Sequence, residues 1–184
     1  EYLRLLDLIP YHGEAISRSE GLGFSGVSTA ARDRLLRRKE EISPQRMAEA
    51  VFGGRLQFLG WTVSPSSARP GEDVKVAYYW KCIEPLVRDA DVFVHFESPG
   101  GGFQDDHRPR REDVGTGAWM KGEVVRYDRI VRIPPGAAMG RHAVYLGIWD
   151  PRGGGVREEV SRTTLPVRDR AVQIGFLEVV SPKP

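Results

Sequence analysis

Four side chains within thirteen residues carry the groups from which metal sites and acid–base sites are built: His95, Asp105, Asp106 and His107. They lie in "VFVHFESPGGGFQDDHRPR", residues 92 to 110, where an alternating apolar stretch crosses a Ser-Pro-Gly-Gly turn and returns. If residues 98–101 form the turn of a β-hairpin, Glu97 faces Gly102 and His95 faces Gln104. Asp106 then lies diagonally from His95 on the same face. Asp105 and His107 point the other way, beside Val94 and Phe96, because successive strand residues face opposite sides. A zinc-type site needs three or four convergent ligands, and this hairpin offers two per face. His12 and His142 lie far away in sequence and would complete a set only by coincidence of folding. The spacing therefore predicts a His95–Asp106 cross-strand pair, with Asp105 or His107 tying down the "RPRRED" loop.

An oxygen-rich alternative uses Asp105, Asp106, Glu112 and Asp113 with loop carbonyls, which is calcium chemistry. Other catalytic patterns are missing. The single cysteine, Cys82, allows neither an internal disulfide nor a cysteine-rich zinc site, and its place after "VAYYW" suits a small buried thiol at a strand end. No nucleophile elbow with a Ser-His-Asp order occurs, and "GLGFSG" (21–26) has neither a strand before it nor a lysine. The expectation is a chain that is not an enzyme, with no cofactor and no catalytic residues.

The elements around the hairpin alternate with period two. "RLQFLGWTV" (55–63), "VKVAYYWK" (74–81), "DVFVHFE" (91–97), "FQDDH" (103–107), "EVVRYDRIVRI" (123–133), "RHAVYLGIW" (141–149), "VREEVSRTTLPV" (156–167) and "AVQIGFLEVV" (171–180) are separated by Pro, Gly and Asp punctuation. In residues 74–81, Val74, Val76, Tyr78 and Trp80 alternate with Lys75, Ala77, Tyr79 and Lys81. About eight such strands over residues 51–184 predict a mainly β fold, an immunoglobulin-like antiparallel sandwich.

Residues 1–50 follow a different grammar. A short apolar piece ends at Pro10, a glycine-punctuated loop follows, and "STAARDRLLRRKEEI" reads as a helix capped by Ser28. "SPQRMAEAV" (43–51) reads as a further helical turn or two, with Ser43 as cap and Pro44 at the first helical position. These residues cannot close a core of their own, so they read as a partly helical extended arm that either packs back along the sandwich or, as its scattered apolar patches favour, docks on a protein partner. Leu5, Leu8, Ile9 and Phe24 are its apolar contacts, and Arg34, Arg37 and Arg38 its charged ones. The default for that basic cluster is a solvated helix face.

Across 184 residues the 27 basic and 25 acidic side chains give a net charge of only +2, which argues against a nucleic-acid partner. No run of apolar residues is long enough for a transmembrane span. The chain opens on Glu1 rather than methionine, which leaves a removed leader or anchor open.

"FGGRLQFLGWTVSPSSARPGEDVKVAYYWKC", "DVFVHFESPGG" and "GAWMKGEVVRYDRIVRIPPGAAMGRHAVYLGIWDP" together resemble the extracytoplasmic β-sandwich appended to bacterial membrane glycosyltransferases of the protein-mannosyltransferase type, and related stand-alone periplasmic proteins. The resemblance spans roughly residues 52 to 152. It implies an extracytoplasmic, periplasmic location, peripheral to the membrane. It carries no catalytic residues over, since the family's catalytic carboxylates belong to the membrane part. The expected function is an accessory or structural subunit, docked by its arm on a larger membrane-embedded complex of the respiratory, photosynthetic or envelope-biosynthetic kind. The alternative is a glycan-binding module with Tyr79, Trp119 and Tyr145 as stacking residues. For Trp119, folding back to cap the core is the competing expectation.

Overall fold

The computed structural model describes residues 43–110 and 115–181, and the unit considered below begins at Pro44. Two β-sheets pack face to face as a β-sandwich. The smaller sheet has the order β10-β1-β2-β4-β7, with β1 at Arg46–Phe52, β2 at Leu56–Ser64, β4 at Asp73–Cys82, β7 at Val124–Arg132 and β10 at Val160–Thr163. The larger has β11-β12-β8-β5-β6, with β5 at Asp91–Ser98, β6 at Gly101–Gln104, β8 at Gly140–Asp150, β11 at Val167–Arg168 and β12 at Ala171–Val179. The two-residue strands β3 (Ser67–Ala68) and β9 (Val156–Arg157) join it beside β12 and β8. Among the described residues no helix is long and apolar enough to cross a membrane.

The pleat decides the core. In β4, Val74, Val76, Tyr78, Trp80 and Cys82 all turn inward and are fully buried, as their alternation requires. Val92, Val94 and Phe96 of β5 and Val144, Leu146 and Ile148 of β8 meet them from the other sheet.

Two bulges, each carrying a glycine, shift this alternation. β2 slips register between Phe58 and Gly60, and β12 slips between Gln173 and Gly175. Each glycine has a positive φ, +148° and +149°, outside ordinary L-residue space. Trp61 occupies the room between them. Its indole N–H donates to the Ile174 carbonyl at 2.9 Å, and a Cβ on Gly175 would sit 3.1 Å from its ring. Arg46 lies over the same ring and donates to the Phe176 carbonyl at 2.6 Å, tying β1 to the opposite sheet.

Two expectations are corrected. Residues 43–51 do not form a helical turn: β1 runs from Arg46 to Phe52, through the 50/51 boundary, because pairing with β2 and β10 buries Ala48, Ala50 and Phe52. Residues 156–167 are not one strand either. Pairing divides them among β9, β10 and the start of β11, in two different sheets. The helix expected from Ser28 onward and the arm's contact residues Leu5, Leu8, Ile9, Phe24, Arg34, Arg37 and Arg38 lie outside the described residues.

Candidate functional site

The β5–β6 hairpin has the register that the turn count requires: Glu97 opposite Gly102 and His95 opposite Gln104. His95 and Asp106 share the outer face, 3.7 Å apart. Asp106 also accepts a hydrogen bond from the Val94 amide at 3.1 Å, in place of a backbone carbonyl.

Asp105 and His107 turn inward at the sandwich edge formed by β6 and β7. The His107 Nδ1–H donates to the Asp105 carbonyl at 2.7 Å, with the Asp105 carboxylate 3.3 Å away. A carbonyl can only accept, so Nδ1 carries a proton. The His107 Nε2 and the Tyr127 hydroxyl of β7 share a hydrogen bond at 2.9 Å. Arg129, also inward on β7, grips the Asp105 carboxylate through Nε at 3.2 Å and Nη2 at 2.5 Å. Burial pushes the Asp105 carboxyl up, but the hydrogen bonds from His107 and Arg129 outweigh it and hold the group down at about 2. Asp105 thus clamps the two sheets together, while residues 111–113 of the "RPRRED" loop lie outside the described residues.

A carboxylate, an imidazole and a hydroxyl in series are the parts of a hydrolytic relay. Here the hydroxyl is phenolic, Tyr127 is buried, and that burial raises its pKa well above the ordinary tyrosine value. Tyr78, fully buried alongside, is raised for the same reason. The cluster can hold protons in place, but it offers no nucleophile at neutral pH.

Of the calcium candidates, the two described ones diverge. Asp105 and Asp106 point to opposite faces and each is occupied by protein donors, while Glu112 and Asp113 lie outside the described residues. Among the described residues no three His, Cys, Asp or Glu side chains gather as a metal would need.

The stacking candidates separate as well. Tyr79 is only 3% exposed, on the smaller sheet, with the Arg126 guanidinium over its ring. Trp119 is also 3% exposed and packs into the core behind a 3-10 turn at Thr116–Ala118. A sugar ring cannot lie on either, so the platform of three aromatics is corrected to one. Tyr145 alone stays half-buried, on the outer face of the larger sheet.

That outer face holds what the sequence reading missed. Three guanidiniums lie over three rings: Arg157 over Phe93 at 4.3 Å, Arg168 over Tyr145 at 4.3 Å and Arg141 over Phe176 at 3.4 Å. Phe93 reaches over Gly147, where any Cβ would collide with its ring. Arg168 also pairs with Glu97. Arg157 donates to the Asp169 carbonyl at 3.0 Å, and Arg170 donates back to the Arg157 carbonyl at 2.7 Å. Asp169 and Arg170 form the two-residue turn between β11 and β12, with φ of 50° and 60°. Two positive φ values are the signature of a type I′ hairpin, whose usual residues are Asn-Gly. The Asp tolerates this; the Arg carries strain on the order of 1 kcal/mol. Gln173, Tyr145, His95 and Gln104 lie in register across β12, β8, β5 and β6. The available signal was "RDR" (168–170) between Val167 and Ala171, where a hairpin turn interrupts the alternation.

The fold and its inward clamp define a β-sandwich with no open acid–base centre among the described residues. Compared with known proteins, the chain matches no family model and no curated protein.

Proposed function

We propose that the chain is a non-catalytic accessory module: an immunoglobulin-like sandwich on the extracytoplasmic side of a membrane and peripheral to it. Residues 1–43, ahead of β1, dock it onto a protein partner in a larger membrane-embedded assembly, of the respiratory, photosynthetic or envelope-biosynthetic kind. One observation carries the reading. Asp105, His107 and Tyr127, the residues best suited to acid–base chemistry, are consumed in joining β6 to β7. Consecutive strands that change sheets, as β4 to β5 and β6 to β7 do, support the immunoglobulin-like subclass. The test is co-purification from native membranes of the full chain, of a chain lacking residues 1–43 (which spares β1), and of a full chain with Leu5, Leu8 and Ile9 replaced by Ser. Recovery of a membrane complex with the intact chain alone supports docking through the arm. If all three forms run as free monomers, the reading fails.

A second reading, a glycan-binding module, is favoured by a different observation. The row Gln173–Tyr145–His95–Gln104 sets hydrogen-bonding side chains side by side on an accessible sheet face.

A further inference from the structure

We propose that the outer face of the larger sheet binds an acidic saccharide, with a sugar carboxylate seated among Arg157, Arg168 and Arg170. The inference rests on the glycan-binding reading and adds to it the class of sugar and the residues that select it.

The arginines are pre-set. Arg157 is held over Phe93 and pinned to the Asp169 carbonyl, Arg170 is pinned to the Arg157 carbonyl, and Arg168 is held over Tyr145 and paired with Glu97. Each bond uses one edge of a guanidinium that has five donors, so N–H groups remain for a planar oxyanion. Side chains already fixed lose less freedom when the ligand arrives. Of the carboxylates on this face, Glu97 pairs with Arg168 and Asp106 with His95, so an incoming carboxylate reaches Arg168 in exchange for Glu97.

The strained turn points the same way. A type I′ position that glycine would occupy without strain holds Arg170 instead, and strain of this kind gathers where a side chain has a task. Arg168 leads directly into the polar row, since it lies over Tyr145, the residue between Gln173 and His95. Four adjacent strands make that row about 14 Å long. Its amides, phenol and imidazole both donate and accept, as sugar hydroxyls require. A polypeptide partner fits less well, because the aromatic anchors such a partner needs are already covered: Phe93 by Arg157 and Tyr145 by Arg168.

Calorimetric titration of the full chain at physiological salt, with polygalacturonate, its methyl-esterified neutral form and polyglutamate, tests the proposal. The expected result is binding to polygalacturonate, at least tenfold weaker binding to the ester, and weaker binding still to polyglutamate. Arg168→Gln should lose about tenfold in affinity, the usual worth of one bidentate carboxylate contact. Arg170→Gly should lose affinity while its thermal midpoint rises, because glycine relieves the turn. Equal binding of acid and ester overturns the carboxylate seat and leaves the glycan reading standing. Failure of both saccharides to bind removes the glycan reading itself. Polyglutamate binding as well as polygalacturonate, or Arg170→Gly binding like the parent, also overturns the proposal.

Discussion

Replacing Asp105 by Asn tests the inter-sheet clamp with almost no change of shape. The carboxyl is held at about 2 in the folded chain, against 3.8 for an ordinary aspartate. Its ionisation therefore contributes roughly 2.5 kcal/mol at neutral pH. The side chain is only 11% exposed, so solvent screening takes little from that figure. Because the folded-state value is depressed, the contribution is complete above about pH 5 and is lost as pH falls through the folded value. By the same relation it drops to about 1.3 kcal/mol at pH 3 and about 0.4 kcal/mol at pH 2. Urea unfolding followed by tryptophan fluorescence should show Asp105→Asn about 2–3 kcal/mol less stable than the parent at pH 7, with the gap closing by about 2 kcal/mol at pH 2. A gap that stays constant with pH would show that the charge is not what matters. A gap below about 0.5 kcal/mol at pH 7 would show that the clamp contributes nothing, and either outcome refutes the reasoning.

Trp61→Phe removes the bond to Ile174 and leaves a void between the two bulges, so unfolding should become easier by about 1–3 kcal/mol, read by urea titration with unchanged circular dichroism. Gly60→Ala should cost more than about 2 kcal/mol in the same titration, since its Cβ would meet the Arg46 carbonyl and Pro44 at a φ that alanine avoids. Cys82 is fully buried, and that burial, aided by Glu123 and Glu84, raises its thiol pKa. A thiol reagent at pH 8 should label it only after denaturant is added, and rapid labelling of native protein would contradict its placement.

How much of this could be read from the residues depended on the range of the interaction. The inward set of β4 and the pairing of His95 with Gln104 follow from the pleat and one turn count, and both are local. β1 was misread because Ser43, Pro44, Met47, Ala48, Glu49 and Ala50 favour a helix, and only pairing on both sides makes them a strand. The bulges at Gly60 and Gly175 move every later residue of their strands to the other face, and nothing within "LGW" or "IGF" shows which neighbour requires it. The clamp was half legible. That Asp105 and His107 face inward follows from alternation, whereas Tyr127 and Arg129 come from a strand in the other sheet. The arginine face was missed because its residues belong to β9, to β11 and to the turn after it, which read as parts of longer strands.

Arg129 has one more consequence. Among the described residues β7 is the last strand of its sheet, and an edge of nine residues is a template on which another chain could continue the sheet. A cation facing inward on such an edge is tolerable only while Asp105 neutralises it from across the sandwich. An incoming strand that levered the sheets apart to extend β7 would cost that cation its carboxylate partner. The bond that closes the sandwich therefore also guards it against growth into a fibre.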